Sequence, residues 1–196
     1  MMKIEREKIR LGVSACLLGE RVRYDGGHKR AGALLRALGD SVEWIPVCPE
    51  MELGLGVPRP PIVLVGSGRT PRLIEPASGR DLTAAMRNHA AGRVRQLARL
   101  GLDGFVLKSR SPSCGLRGVT VVGRDGRARP HGRGLFAAAL ARSLRGIAIE
   151  EESRLGDARI RARFVARARA AAQRRAKAAS AADSAERTQS AMPTPR

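Results

Sequence analysis

Short apolar segments that alternate with helical patterns constrain the fold of this chain most strongly. Three of these segments read as buried strands, and each leads into a loop rich in polar residues, Gly or Pro: 9–15, Val42–Val47 and 104–108. Three helical patterns follow them along the chain: 28–38, 81–100 and 134–144. Strands that alternate with helices predict an α/β fold, a single compact domain with a mainly parallel sheet flanked by helices.

Turn and cap residues predict several smaller elements. The segments 62–65 and 72–75 are expected to form a hairpin around the turn Gly66-Ser67-Gly68, and Val119–Val122 to form a further strand. Asp81 is the predicted N-cap of the long helix, because its carboxylate can accept hydrogen bonds from the first helical N–H groups. Gly101 is expected to close the same helix, since glycine tolerates the left-handed conformation that follows a last helical turn.

The end of the chain differs from the rest in composition. Residues 154–177 are rich in Arg and Ala and predict a basic helix whose few apolar side chains dock on the domain. From Ala178 to Arg196 large apolar residues are scarce, which predicts a disordered tail. We therefore divide the chain into an α/β domain, 1–166, and a helix end with its tail, 167–196.

The charge of the chain is strongly positive, with a formal net charge of +19. The charge is not spread evenly, because residues 154–196 hold 11 Lys/Arg and 3 Asp/Glu, a net of +8, whereas the much longer stretch 1–153 carries a net of +11. Such a surface attracts nucleic acid and other anions. Residues 1–8 alternate charges without an apolar segment behind them, and no apolar run is long enough to span a membrane. We expect a soluble, cytoplasmic protein.

The chain has three cysteines, Cys16, Cys48 and Cys114, and each follows the end of a predicted strand. Ligands of open α/β sheets bind outside the carboxyl ends of the strands, so these distant thiols are expected to converge. Soft thiolates favour zinc or an iron–sulfur cluster. Zinc would need a fourth ligand, such as His28 or His131, whereas a [4Fe–4S] cluster held by three Cys would keep one iron open to substrate. The spacing alone leaves both possibilities open.

Several motifs resemble those of the thiouracil desulfidase family, formerly a bacterial domain of unknown function. The resemblance covers roughly residues 10–165, with the motifs in the family's order and spacing. The motifs are Ser14-Ala15-Cys16-Leu17-Leu18-Gly19, Val22-Arg23-Tyr24-Asp25-Gly26, Pro46-Val47-Cys48-Pro49-Glu50, Pro58-Arg59-Pro60-Pro61 and Lys108-Ser109-Arg110-Ser111-Pro112-Ser113-Cys114-Gly115.

This resemblance implies a cofactor and a reaction. It implies that Cys16, Cys48 and Cys114 bind a [4Fe–4S] cluster with one open iron. It also implies that Glu50 is the catalytic acid/base and that Ser111 assists at the substrate. The implied reaction is a non-redox desulfuration of hydrolase or lyase type. The sulfur of a thiolated pyrimidine binds the open iron, and thiouracil is converted to uracil and hydrosulfide.

Two alternative functions remain open at this point. The same chemistry could act on 4-thiouridine in tRNA or on its nucleosides, with the basic surface holding the RNA. The chain could also be a metal-dependent RNA-binding module without catalysis. The presence of both Glu50 and Ser111 beside the cysteines favours catalysis, and a small thiolated nucleobase is the expected partner. Further candidates for the wall of the pocket are Tyr24, Asp25, Arg59 and Lys108.

Overall fold

Strands and helices alternate along most of the chain. The structure, a computed structural model, describes residues 8–67 and 70–190 of the 196-residue chain. Its elements are β1 (Ile9–Ser14), α1 (Gly32–Leu38), β2 (Val42–Val47), α2 (Pro49–Glu52), β3 (Val63–Val65), β4 (Arg72–Glu75), β5 (Arg80–Asp81), α3 (Thr83–Arg99), β6 (Gly104–Leu107), β7 (Val119–Val122), β8 (Ala128–Gly132), α4 (Leu135–Ser143), β9 (Ala148–Glu151) and α5 (Ala158–Ser190). The charged chain start before Lys8, Gly68 of the predicted turn and the end of the predicted tail, 191–196, lie outside the described residues.

The first sheet is entirely parallel, with the strand order β2-β1-β6-β9. Successive side chains of each strand point to opposite faces of this sheet, so each strand contributes to the packing on both faces. Leu11, Val13 and Val106 pack with residues of α1 and α5, whereas Phe105 and Leu107 pack with residues of α3 and α4. The predicted α/β architecture, a mainly parallel sheet between helices, is therefore confirmed.

Gly12 shows why the central strand of this sheet carries a glycine. A Cβ atom at this position would lie 2.3 Å from the Phe105 ring of the neighbouring strand. Phe105 is fully buried and its ring also contacts Phe136 of α4, with 5.9 Å between the ring centroids. The missing side chain thus gives room to the aromatic pair that joins the sheet to α4.

A second, mixed sheet has the order β5-β4-β3-β7-β8. The predicted hairpin β3–β4 is antiparallel, as expected, but β3 also pairs in parallel with β7. One face of this sheet packs against α3 and the start of α4 through a separate apolar cluster: Ile62, Leu64, Leu73, Leu82, Met86, Val119, Val121 and Leu135. Strands β5, β8 and β9 were not predicted from the sequence.

The long helix α3 begins later than predicted. Its first helical residue is Thr83 and the N-cap position is Leu82, so Asp81 lies one residue before the cap. The Asp81 carboxylate still accepts a hydrogen bond from the Thr83 N–H at 2.8 Å. Hydrogen bonds with the Thr83 hydroxyl and N–H group, together with the Arg72 guanidinium, lower the pKa of Asp81 to about 2. At the other end Gly101 has a φ of +65°, as its predicted role requires.

The C-terminal helix is longer than the sequence predicted. The structure continues α5 to Ser190, and the disorder expected from Ala178 stays a prediction. Between Ala158 and Ser190 the chain has no Gly or Pro, and Ala is the best helix former, so the composition favours one continuous helix. Phe164, Ala168 and Ala172 are buried against the domain, and Arg175 pairs with the buried Asp103 at 3.0 Å. Among the described residues, no helix is long and apolar enough to cross a membrane.

Candidate active site

A cavity of about 590 Å³ lies at the carboxyl ends of all four parallel strands. The chain moves to one side of β1 to form β2 and to the other side to form β6, so this edge is the topological switch point of the sheet. The cavity is lined by Ser14, Ala15, Cys16, Val22, Arg23, Tyr24, Lys29, Val47, Cys48, Pro49, Glu50, Arg59, Pro61, Ile62, Lys108, Ser109, Arg110, Ser111, Pro112, Cys114, Glu152 and Ser153. All five predicted site residues line this one cavity.

The three cysteines reach the cavity from three adjacent strands. Cys16 lies in the short turn after β1, Cys48 directly after β2, and Cys114 in the loop after β6. Burial and the nearby Cys48 raise the pKa of the Cys16 thiol to about 11. Burial also raises the pKa values of Cys48 and Cys114, although a hydrogen bond with Ser14 opposes this for Cys114. Binding of a metal centre would therefore release protons from these thiols.

The arrangement of the donors distinguishes between the two metal centres that the sequence left open. Within residues 8–67 and 70–190, no three His, Cys, Asp or Glu side chains are grouped closely enough to hold one metal ion. The two candidate zinc ligands, His28 and His131, do not line the cavity. The sulfurs nevertheless influence one another electrostatically around one cavity. Thiolates spread around a cavity fit a cluster, which binds each of them through a different iron, better than a single zinc ion.

Glu50 is held in the cavity wall from two sides. It lies in the first turn of α2, and its Oε2 accepts hydrogen bonds from Arg59 at 2.6 and 3.1 Å. Its Oε1 accepts a hydrogen bond from the Ser113 hydroxyl at 2.9 Å. Arg59 also donates to the carbonyls of Gly56 and Val22, so its buried guanidinium is well satisfied. The carboxylate thus has a fixed position with lone pairs left over.

Ser111 organises the loop that carries Cys114. Its Oγ accepts hydrogen bonds from the N–H groups of Ser113 at 3.2 Å and Cys114 at 3.0 Å. These bonds use the oxygen as an acceptor and leave the hydroxyl proton free to be donated into the cavity. Arg110, directly before it, has a φ of +59°, an uncommon conformation for a residue with a side chain. Such strained positions cluster at functional sites.

The cavity carries more positive than negative charge. Glu152, at the end of β9, accepts from Lys108 Nζ at 2.6 Å and from the backbone and hydroxyl of Ser109. The sequence did not indicate that Glu152 belongs to the site, because the residues next to it in the chain form no recognisable motif. Of the wall candidates, Tyr24, Arg59 and Lys108 line the cavity and Asp25 does not. The remaining cations of the cavity are Arg23, Lys29 and Arg110.

Comparisons with known proteins agree with this arrangement. The family model described as 2-thiouracil desulfurase matches residues 11–152, which contain every predicted site residue. The uncharacterized protein YbbK of Bacillus subtilis (strain 168) is 32% identical over 151 residues, 74% of this chain and 97% of that protein. A solved structure of the [4Fe-4S]-dependent thiouracil desulfidase TudS is 37% identical with a TM-score of 0.60, and covers 77% of this chain and 94% of its own. The chain therefore belongs to the 2-thiouracil desulfurase family.

Proposed function

We propose that this protein is an enzyme that removes sulfur from thiolated pyrimidines, converting thiouracil to uracil and hydrosulfide with a [4Fe–4S] cluster as cofactor. The family membership and the similarity to a [4Fe-4S]-dependent thiouracil desulfidase support the activity and the cofactor. The observation that carries the proposal is the convergence of three thiols and a clamped carboxylate on one cavity. A binding module without catalysis would not need Glu50 in that position.

Cys16, Cys48 and Cys114 are the proposed ligands of the cluster. When bound, the cluster supplies a Lewis-acidic iron that polarises the carbon–sulfur bond of the substrate. Val47, Ile62, Cys16 and Cys114 are buried, and Cys48 is half-buried, so this part of the cavity wall is largely apolar. The same burial keeps the thiols protonated in the absence of metal, so they are not reactive nucleophiles before the cofactor is loaded.

Glu50 is the proposed acid/base. A water molecule that donates to its carboxylate is directed towards the carbon that carries sulfur, and Glu50 takes a proton as the oxygen attacks. Glu50 returns this proton to the departing sulfur, the carbon–sulfur bond breaks to release hydrosulfide, and the hydroxyl left on the carbon loses its proton to solvent as it becomes the carbonyl of uracil. One water is consumed and no electron is transferred overall. The hydroxyl of Ser111 donates to the ring or to the attacking water.

A defined experiment tests the proposal. Wild type and the variants Cys16→Ser, Cys48→Ser and Cys114→Ser are reconstituted anaerobically, and bound iron, sulfide and visible absorbance are measured. We expect about four irons per wild-type chain and loss of cluster and turnover in each variant, because a hard hydroxyl replaces a soft thiolate. Conversion of 2- and 4-thiouracil to uracil is followed in parallel. One zinc per chain, or a variant with a full cluster and full turnover, would overturn the assignment.

A further inference from the structure

A second cleft, of about 720 Å³, shares no lining residue with the cavity that contains the cysteines. Its buried and half-buried lining residues are apolar and form the floor, its exposed ones include four arginines and one histidine at the rim, and no carboxylate is among the lining residues. The floor consists of Leu116, Leu135, Ala138 and Ala139. The cations are Arg87 of α3, Arg117 and Arg133 of the loops around β7 and β8, Arg142 of α4 and, when protonated, His131. No function described above involves these residues.

Two guanidinium groups of this cleft are oriented by hydrogen bonds to backbone carbonyls, but most of the positive charge in the cleft has no carboxylate partner among the described residues. Arg133 Nε donates to the Leu116 carbonyl at 2.9 Å, and Arg87 Nη2 donates to the Pro71 carbonyl at 3.4 Å. These bonds fix the side chains without neutralising their charge. Among the described residues only Arg117 has a carboxylate partner, Glu150 at 2.7 Å. The positive charges of Arg87, Arg133 and Arg142 therefore face the cleft without a counter-charge.

Several arginines that line one cleft without carboxylate partners can bind a phosphate group. Each guanidinium can donate two parallel hydrogen bonds to phosphate oxygens, and a dianion relieves the mutual repulsion of the cations. The apolar floor adds a surface for an uncharged, planar or apolar body, and the cleft is concave rather than flat. We propose that this cleft binds the phosphate of a small phosphate ester through Arg87, Arg133 and Arg142, with its apolar or planar part on the floor.

The site is separate from the cavity that contains the cysteines. The chain passes from one to the other between Cys114, which lines the cavity, and Leu116, which lines the cleft. The proposal therefore stands independently of the desulfidase chemistry. Extended RNA has the same phosphate chemistry but would not need a concave apolar floor, so the small ester is the form that the cleft favours.

Binding measurements test the proposal on reconstituted protein. Inorganic phosphate, AMP and a single-stranded RNA 12-mer are titrated calorimetrically into three proteins. These are wild type, the cleft variant (Arg87→Gln, Arg133→Gln and Arg142→Gln together) and a control variant that loses the same charge elsewhere (Arg36→Gln, Arg99→Gln and Arg124→Gln together). The single variant Arg142→Gln is included because the Arg142 side chain makes no hydrogen bond or ion pair in the described residues. Thermal unfolding and thiouracil turnover are measured for each protein.

We expect saturable binding of AMP, tighter than that of phosphate, by wild type and the control variant. The Kd for AMP should rise at least about tenfold in the cleft variant, because the loss of one charge-assisted hydrogen bond or more has this effect. The Kd should also rise in Arg142→Gln. Thiouracil turnover should be unchanged in all variants. Equal weakening in the control variant, no AMP binding by wild type, or binding of the RNA alone would overturn the proposal.

Discussion

At the scale of single residues, the proposed chemistry depends on the Glu50 carboxylate, which accepts hydrogen bonds from Arg59 on one oxygen and from Ser113 on the other. In Glu50→Gln the volume and the contacts with Arg59 and Ser113 are largely kept, but the side chain no longer accepts a proton. We expect kcat to fall about 10²-fold or more with the cluster intact. Ser111→Ala should lose less, because water can replace its hydroxyl. Turnover of 2- and 4-thiouracil and visible absorbance are the measurements.

A matched control lies two residues further along the same helix. Glu52 pairs with His89 and Arg93 and does not line the cavity. Glu52→Gln removes the same charge from α2 and should leave kcat within about twofold, since surface pairs contribute little. Wild-type turnover by Glu50→Gln with an intact cluster would remove Glu50 from the mechanism. An equal loss in both variants would assign the effect to the helix rather than to the carboxylate.

The buried Arg59 gives a second prediction at this scale, as a positioning residue for Glu50. Arg59→Gln leaves a carboxylate at the cavity without its cation, so we expect lower stability, by about 3 kcal/mol, the scale for breaking a buried pair. Arg59→Lys should recover part of kcat, because it restores the charge but not the two-pronged contact. Urea unfolding and steady-state kinetics measure both effects. The control is Arg72→Gln, since the Arg72–Asp81 pair is exposed.

A drop in stability without any change in kcat for Arg59→Gln would show that Arg59 serves the fold alone. Recovery of kcat in Arg59→Lys, with little recovery of stability, would separate positioning from folding. Either result leaves the cluster assignment untouched, because Arg59 carries no metal ligand.

Asp103 and Glu151 also show what the sequence could not predict at this scale. A charged residue in a sequence normally indicates a surface position, yet both are buried. Each is satisfied by partners that are distant in sequence: Glu151, for example, accepts hydrogen bonds from the N–H groups of Leu116 and Arg117. The candidate site residues were predictable because they stand in local motifs, whereas these partners depend on the folded chain.

At the scale of elements, the strands of the parallel sheet that carry the cysteines were predictable. Strands β1 and β6 are short, largely apolar runs, which is typical of strands buried on both faces, whereas β2 is an edge strand in which Glu43 and Pro46 are exposed. Strand β9 was missed because two of its four residues are glutamates. Strand β8 was missed because it is mostly exposed and contains Pro130, which reads as a turn. Strands β5 and β8 lie at the two edges of the second sheet, and the pairing of β3 with β7 that joins its halves links segments far apart in sequence, so no local pattern predicts it.

Helix α5 gives a prediction about the chain end. Its buried side chains end at Ala172 among residues whose burial is described, and Arg175 anchors it to Asp103. Deletion of residues 178–196 should therefore leave kcat/KM for thiouracil within about threefold, below about 0.7 kcal/mol of transition-state binding. As a contrast, Arg175→Gln should lower the melting temperature, because it leaves the buried Asp103 carboxylate without its cation.

Steady-state kinetics and thermal unfolding of the two variants separate the roles of these parts of α5. A large loss of kcat/KM in the deletion variant would show that the chain end takes part in the site. No change in melting temperature for Arg175→Gln would show that the pair with Asp103 does not anchor the helix. The division of the chain at residue 166 stays a prediction, although the buried contacts of α5 continue past it.

At the scale of the whole molecule, the exposed positive charges allow a test of whether the substrate is a small base or RNA. Several cations of α5 have structural partners, because Arg167 and Arg174 donate to the carbonyls of Ile147 and Gly146. The suitable variant therefore changes exposed cations for which the structure gives no partner: Arg163, Arg169 and Lys177, each to Gln. We expect unchanged turnover of thiouracil and little turnover of thiolated tRNA by the wild type, since the cavity at the strand ends does the binding.

Activity on thiouracil and on thiolated tRNA is compared at two salt concentrations for the wild type and this variant. Each phosphate contact that is removed should flatten the salt dependence of RNA binding. Efficient, salt-sensitive desulfuration of tRNA that collapses in the variant would replace the small base by RNA as the substrate. The variant that lacks residues 178–196 serves as a further control, because it keeps Arg163, Arg169 and Lys177.

The position of the cysteines after three neighbouring strands also sets the order in which the protein is assembled. Cys16 and Cys114 are 98 residues apart in sequence (114 minus 16), and only the completed pairing of β1 with β6 brings their loops together. A closely spaced pair of cysteines can capture a metal on an unfolded chain, whereas these thiols would first have to close a very long loop. The chain must fold before it is loaded, and a cofactor bound only by the folded state then adds its binding free energy to the stability of the fold.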